Sequence, residues 1–449
     1  MKFKHVFTGL AGTMAAVAAA AAPLVTILSC EQSADHTVTL AYTLSGGPAV
    51  ITLGAVMSET LEPVPDAEFS CVTGAVNRKV TSASDSEVHT IVWSPTCSRS
   101  GRQLSLSAIR PVVTAWPIDD PPDYMVVDLA ESSVMRTRYY TSTNALPGGL
   151  LANRAYRTSL LVLRKVPAKG VTWMMGSETE AGRNPDAVAG ADPEKRHEVH
   201  FDRNYYMGVF PVTQEQWMLL KGAGVTPVWT YVKDRMMRPM DSVSYCLVRE
   251  NASNAEDAAH QYPEAPHPDS FLGVLRARTG IAFDLPSDAE WEYACRAGCG
   301  ENTWGNGETY ECRWEYDARV PGRYKYNQAN TDFSYTGSQT LEFLQTVGAT
   351  NATAIVGSYA PNMWGIYDMH GNVFEWCLDW YSDDITSLGG DVNVANGKVT
   401  DAGVKFRVRR GGAWGLPPYY FRSACRYLDP STSQNDANGF RVACPALAE

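Results

Sequence analysis

From Pro167 onward the chain has few long periodic segments, and this limits what it can fold into. Without a sustained 3.6-residue or two-residue hydrophobic period, regular elements must be short and the loops between them long. Two helices stand out. Thr213 is a good N-cap for a helix over Gln214–Leu220, and Gln216 at the third helical position completes a capping box. Ser287 caps a helix over Asp288–Ala297, with Asp288, Glu290 and Glu292 in its first turns, where acidic side chains suit the helix dipole. The rest reads as short strands and long loops rich in Gly, Trp and Tyr. Long loops in a compact domain usually serve a function or need a metal or disulfide to hold them.

Residues 36–115 differ. His36–Tyr42 alternates polar and apolar side chains, as a half-buried strand does, and similar runs recur at Ala49–Leu53, Glu87–Trp93 and Ser105–Ala115. Short strands separated by turn residues predict a small β-sandwich. Cys71 and Cys97 are its only cysteines; they either staple it or lie buried as free thiols. The Pro-rich stretch Trp116–Asp123 reads as an extended connector. Strand-like runs at Tyr124–Leu129 and Ser159–Val166 complete a junction over 116–167.

Residues 1–30 form a targeting segment. Lys2 and Lys4 precede an uncharged, Ala-rich stretch from Val6 to Leu28, which ends in Ile27-Leu28-Ser29-Cys30. That ending resembles a lipoprotein signal, cleaved before Cys30, with Cys30 then lipidated. The alternative is a plain secretory signal cut near Ala20–Ala22. Both predict export, and the first predicts an envelope lipoprotein, periplasmic or on the cell surface, that meets the membrane through its N-terminal lipid. No other run approaches the ~20 apolar residues that span a bilayer.

Of the 449 residues, 45% are hydrophobic and 19% charged, which is globular composition and not that of a disordered chain. The net charge of −11 repels a phosphate backbone, so nucleic acid is not an expected partner. The 10 cysteines form no CxxC or CxxH pair, which removes support for a structural zinc site of that kind.

A series of short motifs follows in order. Val171–Ser177, His197–Phe201, Tyr205–Met207, Pro211–Trp217 and Pro239–Tyr245 come first. Leu285–Arg296, Gly365–Trp376, Arg409–Trp414 and Gly439–Ala443 follow. Together they resemble the sulfatase-modifying-factor family, the formylglycine-generating enzymes and their non-catalytic relatives. The resemblance covers residues 168–445 and implies an irregular, loop-rich α+β domain related to C-type lectin folds. Residues 1–167 lie outside it.

Asp368, Gly371, Val373 and Glu375 offer two carboxylates and two backbone carbonyls within eight residues, a hard-oxygen set suited to calcium. Gly371 lets the chain turn so that carbonyls converge, and in the family the matching positions bind calcium. The alternative is a structural turn with Glu375 bonded to backbone. Asn330 and Thr331 match the first ligands of the family's second calcium site, but no Asp stands near Gly348 to complete it.

The family's oxidising members hold copper on two cysteines just after a Gly-Gly motif, because soft thiolates suit Cu(I). Here the segment after Gly411-Gly412, Ala413–Arg422, has no cysteine. Catalytic residues are therefore not carried over, and copper is not expected. The family's disulfide pattern implies a bridge between Cys295 and Cys425.

Trp414, Tyr419, Tyr420, Phe421, Tyr427, Asn435 and Asn438 form a segment of rigid aromatics with small polar neighbours, which suits recognition of a protein or glycan. The other reading of these aromatics is core. Relatives that are targets of diversity-generating retroelements vary this same segment. The competing function is an enzyme of altered chemistry, sulfatase-modifying or another oxidoreductase.

Overall fold

The computed structural model describes residues 22–69, 71–98, 104–130, 137–177, 193–225, 227, 234–300, 322, 352–382, 385, 405–416 and 418–447. In chain order the first strands are β1 (Leu24–Gln32), β2 (Val38–Ser45), β3 (Ala49–Met57), β4 (Val72–Gly74), β5 (Arg78–Val80), β6 (Val88–Trp93) and β7 (Ile109–Pro117). They make two sheets, ordered β1-β2-β6-β4 and β5-β3-β7. Alternation along β2 buries Val38, Leu40, Tyr42 and Leu44. These side chains share one core with Ile51, Leu53 and Ala55 of β3 and with Ile91 and Trp93 of β6. The polar ends of the buried rings are satisfied: Tyr42 donates to the Ala75 carbonyl at 2.7 Å and Trp93 to that of Glu68 at 2.7 Å. A disulfide joins Cys71 to Cys97, which lies in a one-turn helix, α1 (Pro95–Ser98).

The following strands are β8 (Tyr124–Asp128), β9 (Thr137–Tyr140), β10 (Leu160–Val166), β11 (Val171–Met175), β12 (His197–Phe201) and β13 (Tyr205–Gly208). The segment read as a junction is an integral part of the second unit. β10 is the middle strand of a five-stranded sheet; it pairs with β8 on one side and β13 on the other. The remaining regular elements are helices α2 (Gln214–Lys221), α3 (Phe271–Thr279) and α4 (Asp288–Cys295), and strands β14 (Phe374–Trp380), β15 (Phe406–Arg410), β16 (Tyr427–Pro430), β17 (Asn438–Gly439) and β18 (Ala443–Pro445). β18 closes the outer edge of the five-stranded sheet against β13. A four-stranded sheet, ordered β16-β15-β14-β17, carries the residues of interest.

Both expected helices form, with the capping boxes of Thr213 with Gln216 and Ser287 with Glu290 complete. The second ends at Cys295, earlier than the pattern predicts. The main core gathers Met125, Leu161, Leu163 and Tyr206 of the five-stranded sheet around Trp217, Phe271 and Phe440, and Val50 of β3 enters the same cluster. Trp217 stacks on Phe271 at 5.3 Å, and Phe440 meets Phe271 edge-on at 5.0 Å.

Candidate functional site

The candidate site is built on α4 and β14–β15. Ser287 fixes the start of α4, and the helix turns Asp288 and Glu292 into the interior, where both are buried. Arg410, at the end of β15, donates to Asp288 Oδ1 at 2.5 Å and also to Glu292 Oε2. Arg426 donates to Asp288 Oδ2 at 2.5 Å, and Arg296 pairs with Glu292 Oε1 at 2.5 Å. Burial pushes the Asp288 carboxyl up, but Arg410 and Arg426 outweigh it and hold it below the usual carboxylate range. Arg410 Nη1 also donates to the carbonyls of Ser423 and Cys425, at 2.7 and 2.9 Å. Arg422 forks onto Glu194 at 2.8 and 3.0 Å. The far end of the segment after Gly411-Gly412 is thus anchored by buried, paired arginines.

Its near end is anchored by close packing. Gly412 has φ +75°, and a Cβ there would stand 1.8 Å from Cδ1 of Phe421. Phe421 is fully buried, and its carbonyl accepts from His370 Nδ1 at 2.7 Å. Phe421 is therefore core and not a recognition residue. Asn438 is also fully buried: it pairs with Phe374 in the sheet, donates to Asp429 Oδ2 at 2.9 Å and accepts from Arg409. It, too, drops out of the binding set, because its amide is spent holding β17 and β16 together.

Four of the other expected binding residues remain half-exposed: Trp414, Tyr420, Tyr427 and Asn435. The Trp414 indole donates to the Asp436 carbonyl at 3.1 Å. Tyr420 meets Tyr427 edge-on at 5.4 Å, and Tyr427 stacks on Phe374 at 5.3 Å. Asn435 donates to Asp429 at 3.1 Å. The side chain of Tyr419 lies outside the described ones. Sequence reasoning missed Arg409 and Asp429. Arg409 lies 4.2 Å over the Phe374 ring and pairs with Asp429 at 2.9 Å, which ties the rings to the amides. The signal was present in the adjacent Arg409 and Arg410 of β15, whose side chains point to opposite faces of the sheet.

The expected calcium turn is well ordered by protein groups alone. Asp368 and Asn372 adopt positive φ. Asp368 Oδ2 accepts from the Gly357 N–H at 2.7 Å, and Asn372 closes on both backbone groups of Ala354 at 2.9 and 3.2 Å. Burial pushes the Asp368 carboxyl up to about 6. Glu375 is not available as a ligand in this arrangement. Arg441 donates to both of its oxygens at 2.5 and 2.6 Å, and the Trp291 indole adds a third bond at 2.6 Å. A guanidinium already neutralises the second carboxylate of the set, so the four residues do not fit a calcium cage as they stand. Asn330 and Thr331 lie outside the described residues.

The bridge implied between Cys295 and Cys425 is absent: both are free, buried thiols. Their sulfurs face different acceptors. Cys295 Sγ lies 3.5 Å from His370 Nε2, whereas Cys425 bonds Glu194. Burial pushes the Cys295 thiol far up and that of Cys425 up to about 12, so neither is a ready thiolate.

Residues 163–446 match the family model of the sulfatase-modifying factor enzyme 1-like domain. The chain is 31% identical over 173 residues to the formylglycine-generating enzyme of Thermomonospora curvata, covering 36% of this chain and 50% of that one. It is 29% identical over 252 residues to the serine/threonine-protein kinase pkn1 of Chlamydia caviae, covering 55% and 34% of the respective chains. It therefore spans half or less of the length of these two relatives. The solved structure of PvdO from Pseudomonas aeruginosa superposes on it with a TM-score of 0.44 at 24% identity, over 64% of this chain and 94% of that one.

Proposed function

The chain belongs to the sulfatase-modifying factor enzyme 1-like domain family, and on that premise we propose that it is a ligand-binding member, exported and held at the envelope by a lipid on Cys30. The observation that carries this reading is the segment between Gly412 and Arg422. It holds no thiol, and the thiols packed behind it, Cys295 and Cys425, are buried and protonated at neutral pH. Copper-based oxidation needs soft thiolates, and this site presents none.

What the segment offers instead is a rigid surface. Trp414, Tyr420 and Tyr427 present half-exposed rings and Asn435 a half-exposed amide, supported from beneath by the largely buried Arg409–Asp429 pair. Each ring is braced by a neighbour, so little side-chain entropy is lost on binding. Such a surface suits a protein or a glycan. The shared core of the two N-terminal sheets supports reading residues 36–115 as a β-sandwich that carries the binding domain.

The test has two arms. Immobilised protein is screened against glycans and envelope proteins, with Tyr420→Ala and Tyr427→Ala expected to weaken the captured ligand at least about tenfold while leaving thermal unfolding near wild type. In parallel, a sulfatase peptide containing the target cysteine is incubated with the protein, copper and oxygen, and its mass is measured. No formylglycine is expected; its appearance would overturn the reading in favour of a sulfatase-modifying enzyme.

A further inference from the structure

The loop between the π-turn at Cys246–Glu250 and α3 carries chemistry that the aromatic surface does not use. Asp257, His260 and His267 each turn one ligand-capable atom to a common point, and these atoms lie within 4.8 Å of one another. We propose that the three residues form a binding site for a single divalent transition-metal ion of the zinc class, with water completing its coordination.

Local structure explains how they meet. Asp257 caps the single turn Ala258–His260, using Oδ1 to accept the Ala259 N–H at 3.0 Å. That leaves Oδ2 for His260, whose Nδ1 stands 2.9 Å away. The chain then turns back, bringing the His267 ring to 4.6 Å from that of His260. Buried Arg249 staples the loop from below. It donates to the carbonyls of His260 and Glu264 while its charge is spent on Asp284, at 2.9 and 3.1 Å. The His267 carbonyl is wedged against α3 at Gly273, where a Cβ would stand 2.0 Å from it. The backbone that carries all three side chains is therefore fixed, while the side chains themselves are only half-buried and open to solvent.

The donor set selects the ion. Two imidazoles and one carboxylate suit borderline metals such as Zn²⁺, Co²⁺ or Fe²⁺ and offer too few oxygens for Ca²⁺. Metal–ligand bonds of about 2.1 Å put adjacent ligands roughly 3.0–3.4 Å apart. Asp257 Oδ2 and His260 Nδ1, 2.9 Å apart, come close to that spacing, and the ion would replace the proton that now joins them. Among the described residues, the lone pair of His267 Nδ1 is engaged by the exposed Asp269 N–H, at 3.0 Å, a donor that water satisfies equally well.

The experiment uses the full, untagged chain after chelator treatment, titrated with Zn²⁺ and, separately, Co²⁺. One equivalent is expected to bind with micromolar or tighter affinity, and Co²⁺ should give visible absorption typical of nitrogen–oxygen ligation. His260→Ala, His267→Ala and Asp257→Asn should each weaken binding at least about tenfold. Metal-free thermal unfolding of His267→Ala should remain near wild type, which separates lost ligation from lost folding. Failure of wild type to bind one equivalent overturns the proposal, as does undiminished binding by a His260→Ala/His267→Ala double variant. Neither result bears on the ligand-binding reading, which rests on other residues.

Discussion

Gly412 shows how one backbone position sets the whole recognition segment. Its φ of +75° is strained for any residue with a side chain, and the space beside it is filled by the Phe421 ring. Gly412→Ala should destabilise the protein by about 3 kcal/mol or more, since strain and overpacking act together. The check is a urea unfolding midpoint, read alongside near-UV circular dichroism. A variant as stable as wild type would mean that Phe421 does not pack as described. At this scale the sequence was legible wherever chemistry is local. The capping residues Thr213 and Ser287 are determined by neighbours three positions away, and both form as read. Phe421 and Asn438 were not legible as buried. An aromatic or amide between turns carries no period to say which way it points, and only the partners Gly412, Asp429 and Arg409 decide it.

Elements differ in how far their determinants reach. α3 went unrecognised although Ser270 caps it and Gly280 ends it in the left-handed conformation. Gly273 in its interior lowers helix propensity, and that glycine is there for the approach of His267, which no local pattern reveals. The centrality of β10 was hidden for a similar reason, because its partners β8 and β13 lie on opposite sides of it in sequence. The contact between α4 and β15 is the element-scale interaction most open to test. Asp288→Ala removes the carboxylate that Arg410 and Arg426 share, leaving Arg410 on Glu292 and buried Arg426 on backbone carbonyls alone, and should cost about 3–5 kcal/mol. The pH dependence follows from the depressed carboxyl. Its contribution is present above the unfolded-state value of about 4 and is lost as pH falls through the lower folded-state value. Urea midpoints of wild type and Asp288→Asn should therefore differ widely at pH 7 and begin to converge as pH falls below about 4. A gap that stays constant would assign the loss to packing and not to charge.

For the molecule as a whole, the question is how the N-terminal unit meets its surroundings. β1 is an edge strand, and Leu24, Ile27 and Leu28 on it are 62%, 41% and 54% exposed. Exposed apolar edges invite aggregation, so a chain that kept them would carry a liability. Among the described residues no helix is long and apolar enough to cross a membrane. Cleavage before Cys30 would remove Leu24–Ser29 and leave Cys30–Gln32 paired with Val38–Leu40. The core would survive this, because the inner faces of β2 and β3 supply it while β1 contributes only partly buried side chains. The Cys71–Cys97 bridge suits an oxidising compartment and closes a loop whose ends are 26 residues apart, worth about 3 kcal/mol. Cys30→Ser should then shift the protein from the detergent phase to the aqueous phase in Triton X-114 partition. The intact mass of the wild-type protein should correspond to a chain beginning at Cys30 plus lipid. A plain secretory signal would instead give an unlipidated chain beginning near residue 21–23, in the aqueous phase with or without Cys30, and the variant would change nothing.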